Sequence, residues 1–321
     1  MLLAVVLALA LLPSQQYIFL PDRAHAVAPL VDVPGGKAPA SGSVYFVDVI
    51  VRKATLLERI FGGLHHGADL YPASAVEPPG VNDRARQRID LQDMHRSQEI
   101  AAAVALKAAG KKVTLRSTGA LIDAVEPGMP AAGKLQPDDV ITNIDGSRVT
   151  GPRDVFNEMA GRSIGDTVRF TVRRGPQTLV VPLQTVASPT PPRRGVVGVM
   201  LEPAIDVHLP IPVRIDAGNV GGPSAGLAFA LGVLSELKKG VLHGHRVAAT
   251  GEIFPDGSVG PIGGIKQKTI GAREAGADVF LVPAGENARD ARKAADGLRI
   301  VAVKNFPQAL RALATLPATA S

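Results

Sequence analysis

The chain begins with an unbroken run of apolar positions. Met1 to Leu12 include no polar residue, Pro13 closes the run, and a second apolar patch, Tyr17 to Leu20, comes after Ser14-Gln15-Gln16. Twelve residues fall short of the roughly 20 that a spanning helix needs and suit a signal-peptide core, whereas a helix over 1–20 would just span. A small-x-small cleavage site is available at Ala24-His25-Ala26. Residues 1–26 are therefore expected to be a signal anchor or a cleaved signal peptide, and either would export the rest of the chain. VAPLVDV, the Pro34-Gly35-Gly36 turn and SVYFVDVIV then predict two strands of a small β element. From Asn82 to Ala109 the period becomes helical, with Asn82 as N-cap, Asp83 in the first turn and Gly110 as stop. Ile89, Met94, Ile100, Val104 and Leu106 approximate one apolar face, which reads as a scaffold helix. Residues 112–186 are β-rich, with a short helix near Val155–Met159, and the Pro-rich ASPTPPRRG at 187–195 reads as a linker. Beyond it, GNVGGPSAGLAFALGVLSELKKG leads from glycines into an apolar helix that ends at Lys238-Lys239-Gly240.

Composition narrows the chemistry. The 321 residues suggest about two domains, and 46% hydrophobic with 20% charged residues fits a globular protein. The absence of cysteine excludes disulfides, thiolate metal sites and a cysteine nucleophile together. Aromatics make up only 4%, and the formal charge of +6 is scattered, so no nucleic-acid partner is expected. His65-His66 diverge and His243 with His245 lack an obvious third ligand, so neither a metal nor another cofactor is expected. The GK pairs at 36–37, 110–111 and 133–134 never continue to Ser or Thr, so no phosphate-binding loop is present.

Ser224 stands where a glycine-rich turn enters a helix, a place where backbone N–H groups can hold an oxyanion and where serine also serves simply as N-cap. A serine nucleophile needs a base. In TGEIFPDGSVGPIGGIKQKTIG the base could be Lys268, set among Ile265, Thr269 and Ile270, while Lys266 should point elsewhere if a helix begins there. An ordinary lysine is neutral in about one molecule in a few thousand at neutral pH, and burial in an apolar site makes it a usable base. The alternative is two solvated lysines.

Two resemblances bear on these readings. VEPGMPAAGKLQPDDVITNIDGSRV resembles bacterial PDZ domains, which add extended chain ends to a sheet edge. The resemblance puts that edge at Gly119 to Val125, with Gly119, Ala120, Leu121 and Ile122 as peptide-binding residues opposite a helix around Arg153–Ala160. The usual Gly-Leu-Gly-Phe-like loop is not evident before Ala120. The Gly-Pro-Ser-Ala-Gly, Thr-Gly-Glu-Ile and Pro-Ile-Gly-Gly-x-Lys-x-Lys segments, in this order between Val196 and Pro317, resemble the proteolytic domain of the Lon family, peptidase family S16. That resemblance implies Ser224 as nucleophile, Lys268 as base and Thr250 as a group holding the lysine. Backbone amides around Gly222, Pro223 and Ser224 would be the oxyanion donors. Gly221 departs from the family, where many members have Asp.

The arrangement resembles the bacterial membrane-anchored PDZ–Lon proteins of the YlbL type. It implies an α+β multidomain fold: 1–26 signal or anchor helix, 27–111 membrane-proximal β/helical region, 112–186 PDZ domain, 187–195 linker, and 196–317 α/β Lon-type proteolytic domain. The function implied is an ATP-independent serine endopeptidase at the outer face of a bacterial cytoplasmic membrane, or secreted. Its substrates would be unfolded or membrane-associated proteins, with chain ends taken by the PDZ domain and subunits arranged as a homo-hexamer. The rival readings are a non-catalytic PDZ adaptor on an inactive Lon-like platform, and a chain that only processes itself.

Overall fold

Two units make up the chain, one from 1–113 with 209–321 and one from 114–208. The computed structural model describes residues 2–37, 39, 41–76, 83–189 and 193–317; the expected N-cap Asn82 lies outside them.

The first unit is built on a five-stranded sheet in the order His25–Ala26, Ser43–Phe46, Arg246–Ala249, Val279–Pro283, Arg299–Val303. The last four run parallel, and the interior runs Val247-Ala248-Ala249 and Val279 to Val282 are fully buried, as strands covered on both faces require. Two helices cover one side, Asp83–Ala108 (the long helix) and Gly226–Leu237 (the serine helix). The long helix meets its neighbour through Ala101, Val104 and Ala105, which share a core with Phe229, Leu227 and Phe46. It stops at Gly110, whose φ of 78° lets the Lys111 N–H return to the Leu106 carbonyl at 2.9 Å.

This arrangement changes the expected division of the chain. Residues 27–111 are not a separate membrane-proximal region, because Ser43–Phe46 pairs in register with Arg246–Ala249 and the long helix forms part of the same core. The two strands expected around the Pro34-Gly35-Gly36 turn also part company, Val31–Asp32 pairing with Arg214–Ile215 and Ser43–Phe46 joining the large sheet.

One part of the N-terminal expectation, a helix over 1–20, is corrected as well. The first helix spans only Leu2–Leu11, about 15 Å, and Pro13–Pro21 is a strand between Val49–Thr55 and Asp69–Pro72. Pro13 ends the helix, and Tyr17 and Ile18 bury their side chains in the strand. Among the described residues no helix is long and apolar enough to cross a membrane. The anchor helix over 1–20 is therefore not formed.

The second unit is one antiparallel sheet in the order Gln177–Gln184, Thr167–Arg174, Val140–Ile144, Thr114–Val125, Val199–His208. Ile122, Ile141, Ile144, Phe170 and Leu183 fill its core. Asp145 and Gly146 both have positive φ, forming the tight turn into Ser147–Arg148. Buried Asp139 is fixed by two bonds of 2.7 Å from Arg174. The expected helix is present as Pro152–Ala160. The boundary after this unit falls at 208 rather than in the stretch 187–195, because Val199–His208 pairs along the whole of Thr114–Val125.

Candidate active site

Ser224 lies in a single 3-10 turn, Pro223–Ala225, that feeds the serine helix. Gly222 enters this turn with φ 83° and ψ 157°, a conformation suited to glycine, and Pro223 then fixes the first turn position. The turn is clamped from several directions. The Ser224 carbonyl accepts from the Gly251 N–H at 2.8 Å and from Thr250 Oγ1 at 3.1 Å. The Pro223 carbonyl accepts from Ser97 Oγ of the long helix at 3.0 Å, and the Asp90 carbonyl accepts from the Gly222 N–H at 2.7 Å.

Lys268 is the fourth residue of the helix Ile265–Glu274 (the lysine helix), which starts from Gly264 in the left-handed region. Its side chain is buried, and Nζ lies 2.6 Å from Ser224 Oγ. Burial lowers its pKa from 10.5 to about 8, and the negative charge of Asp48 partly opposes that fall. About one molecule in ten then carries a neutral amine at pH 7, against roughly one in several thousand for the free side chain. A neutral Nζ accepts the serine proton, which is the proton transfer a serine nucleophile requires. Lys266 is turned away and pairs with Asp69 at 2.8 Å.

Two expected roles change. Thr250 was expected to hold the lysine, and its hydroxyl instead donates to the Ser224 carbonyl and so holds the serine turn. Of the three residues proposed as oxyanion donors, Gly222 spends its N–H on Asp90 and Pro223 has none, which leaves the Ser224 N–H. Gly221 is explained by the long helix, since a Cβ there would come 2.7 Å from Asp90 Cβ. Neither Asp90 nor Ser97 carries a sequence signal that links it to the serine turn.

The peptide-binding residues expected in the second unit are corrected. Gly119, Ala120, Leu121 and Ile122 face Ala204, Pro203, Glu202 and Leu201 on one side, and Ala120 and Leu121 also face Ile141 and Val140 on the other. Their strand has no free edge. The outermost strand on this side of the sheet is Val199–His208. Beside it a cavity of about 230 Å³ opens between Val155, Phe156 and Met159 of the helix and the segment Arg194–Val199. The sequence hid this groove because one wall, Arg194–Val199, lies beyond residue 186 while the other, on the helix, lies before it. Its wall includes the glycine-containing segment Arg194-Gly195-Val196-Val197-Gly198.

Residues 199–315 match the family model of the Lon protease (S16) C-terminal proteolytic domain. The chain carries a Lon-type proteolytic domain. Residues 93–185 match the PDZ domain model. Lon protease 2 of Bacillus subtilis (strain 168) is 39% identical over 114 residues, which are 36% of this chain and 20% of that protein. Lon protease 2 of Herpetosiphon aurantiacus is 38% identical over 124 residues, 37% of this chain and 14% of the relative. The chain thus spans a fifth or less of the length of these curated relatives. Among solved structures, the PDZ domain of an SdrC-like protein from Listeria monocytogenes is 24% identical, covering 26% of this chain and 87% of that chain with a TM-score of 0.25.

The Lon-type domain and the structural unit do not share boundaries. The stretch that matches Lon proteases begins at the strand that closes the PDZ sheet. The strand Ser43–Phe46 and the long helix's Asp90 and Ser97, which complete the Lon-type unit, lie before the match.

Proposed function

We propose that the chain is a serine endopeptidase working through a Ser224–Lys268 dyad without ATP. The observation that carries this reading is the 2.6 Å approach of a buried, pKa-lowered lysine to the serine hydroxyl. Neutral Lys268 takes the hydroxyl proton as Ser224 Oγ bonds to the peptide carbonyl carbon, and the carbonyl electrons move onto its oxygen. The ammonium then gives the proton to the leaving amine nitrogen, and the carbon–nitrogen bond breaks to leave an acyl-enzyme. Water then adds to the ester carbon as Lys268 takes its proton, and the carbon–Oγ bond breaks with that proton passing to Ser224 Oγ, which releases the acid and regenerates Ser224.

The groove beside Val199–His208 is the proposed peptide-capture site. An extended segment would add to that outermost strand with apolar side chains against Phe156 and Met159. Arg194 supplies positive charge for a terminal carboxylate.

The test is hydrolysis of an unstructured protein together with labelling by a serine-directed fluorophosphonate. The parent chain should cleave and take label at Ser224, and Ser224→Ala and Lys268→Met should each lose at least about 10³-fold of the activity. Equal cleavage by parent and both variants would remove the dyad. Peptide binding without labelling or cleavage would favour the adaptor reading.

A further inference from the structure

A cluster of titratable side chains borders the dyad without belonging to it. His25 Nε2 lies 3.7 Å from Asp22 Oδ2 and 3.5 Å from Asp48 Oδ1, so one imidazole sits beside both carboxyl groups. The lysine helix brings this cluster to the catalytic amine. Gly264, Lys268 and Gly271 are spaced i, i+4, i+7 and so share one helix face. A Cβ at Gly264 would come 2.6 Å from Val49 Cγ2, and one at Gly271 would collide with the Asp22 carbonyl oxygen. The segments carrying Asp22 and Val49 therefore press onto that face on either side of Lys268. Val47 is buried in the same apolar cluster as Ile265. Asp48, between Val47 and Val49, is held alongside the lysine and interacts electrostatically with it.

The other charged groups nearby are engaged elsewhere. On the same helix, Lys266 pairs with Asp69 and Arg273 with Asp296. From the strand side, Asp22, His25 and Asp48 are the titratable groups, and Asp22 Oδ1 accepts from the Arg23 N–H at 2.8 Å. The serine turn contributes only the hydroxyl and backbone groups.

We propose that Asp48 is the positioning residue for Lys268, its carboxylate serving as counter-ion to the ammonium formed when the lysine takes the serine proton. The proposal rests on the peptidase reading above. Before the transfer the pocket holds a neutral amine beside a carboxylate; afterwards it holds a buried ion pair. Without the carboxylate the ammonium would form alone in a desolvated site, which is far less favourable. Asp48 keeps its charge throughout and no proton passes to it. Burial and the neighbouring Asp22 raise its own pKa, and His25 opposes that rise, so the cluster sets how acidic the medium can become before the counter-ion is lost.

The sign of the test comes from the charge. Removing a nearby anion lowers the lysine's pKa, so the acid limb must move to lower pH while the reaction itself slows. The rate of Ser224 labelling by a fluorophosphonate is measured against pH in the full chain. The parent should show a limb near pH 8. Asp48→Asn should move it down by about one unit, with a plateau rate reduced roughly 10-fold or more. Asp48→Glu should restore both. Asp48→Ser, smaller and uncharged, should repeat the Asn result if the amide fails to fold. A labelled parent whose limb is unmoved or raised in Asp48→Asn overturns the proposal alone. A parent that takes no label at any pH overturns the peptidase reading and this proposal with it.

Discussion

Lys268 is costly to fold and useful to have folded, and both come from the same burial. Its pKa is about 8 in the folded chain and 10.5 when free, so between these values the unfolded state binds more protons. Stability on its account therefore rises with pH from about 8 to 10.5, and the penalty is complete below 8. Lys268→Met should stabilise the protein at pH 7 by up to roughly 3 kcal/mol while abolishing hydrolysis. Denaturant unfolding at pH 7 and pH 10 checks this, and a variant no more stable than the parent at pH 7 would contradict it. Activity should track the same group, with kcat/KM rising tenfold per unit below pH 8 and levelling above it. These two residues were legible because Pro-Ser-Ala-Gly and Gly-Gly-x-Lys-x-Lys are local patterns. Asp48 was not, since 220 residues separate it from Lys268 and its surroundings in the sequence are an ordinary strand.

Elements place these side chains, and here the sequence was readable in type but not in partnership. The long helix was legible as an apolar face ending at Gly110, and its role as scaffold was expected. Its hold on the serine turn was not, because Ser97 and Asp90 each act through a single bond to a residue over a hundred positions away. Ser97→Ala should cost about 1 kcal/mol of stability and lower kcat/KM, since the turn loses one of its clamps. Gly221→Asp, which restores the residue many Lon proteases have, should be worse. Its Cβ meets Asp90, so the helix must move, and overpacking of this kind costs about 1–3 kcal/mol with loss of activity. Thermal unfolding and peptide hydrolysis measure both. Parent-like behaviour of Gly221→Asp would show that the helix yields freely.

At the scale of the whole molecule, the sheets disagree with the linear division into modules. A strand at 43–46 and a helix at 83–108 belong with the unit that closes at 317, and a strand at 199–208 belongs with the PDZ sheet. Sequence alone placed the modules in order because motifs are contiguous; hydrogen-bonded neighbours are not. A fragment of residues 209–321 lacks Ser43–Phe46 and the Ala-rich packing face of the long helix. It should fail to fold, as judged by solubility and far-UV circular dichroism. Residues 114–208 contain every strand of their sheet and should fold alone. A soluble, cooperatively unfolding 209–321 fragment would contradict this division.

The pairing of Ser43–Phe46 with Arg246–Ala249 also governs when the catalyst can come into being. At about 5–20 residues per second, a ribosome takes on the order of ten seconds or more to pass from Asp48 to Lys268. During that interval the PDZ sheet can finish, whereas Ser224, Lys268 and the strand beneath them are still on separate stretches of nascent chain. Under the proposed function, a site assembled from such distant stretches stays incomplete until the later one has left the ribosome. The order of synthesis is thus itself a timer on the activity.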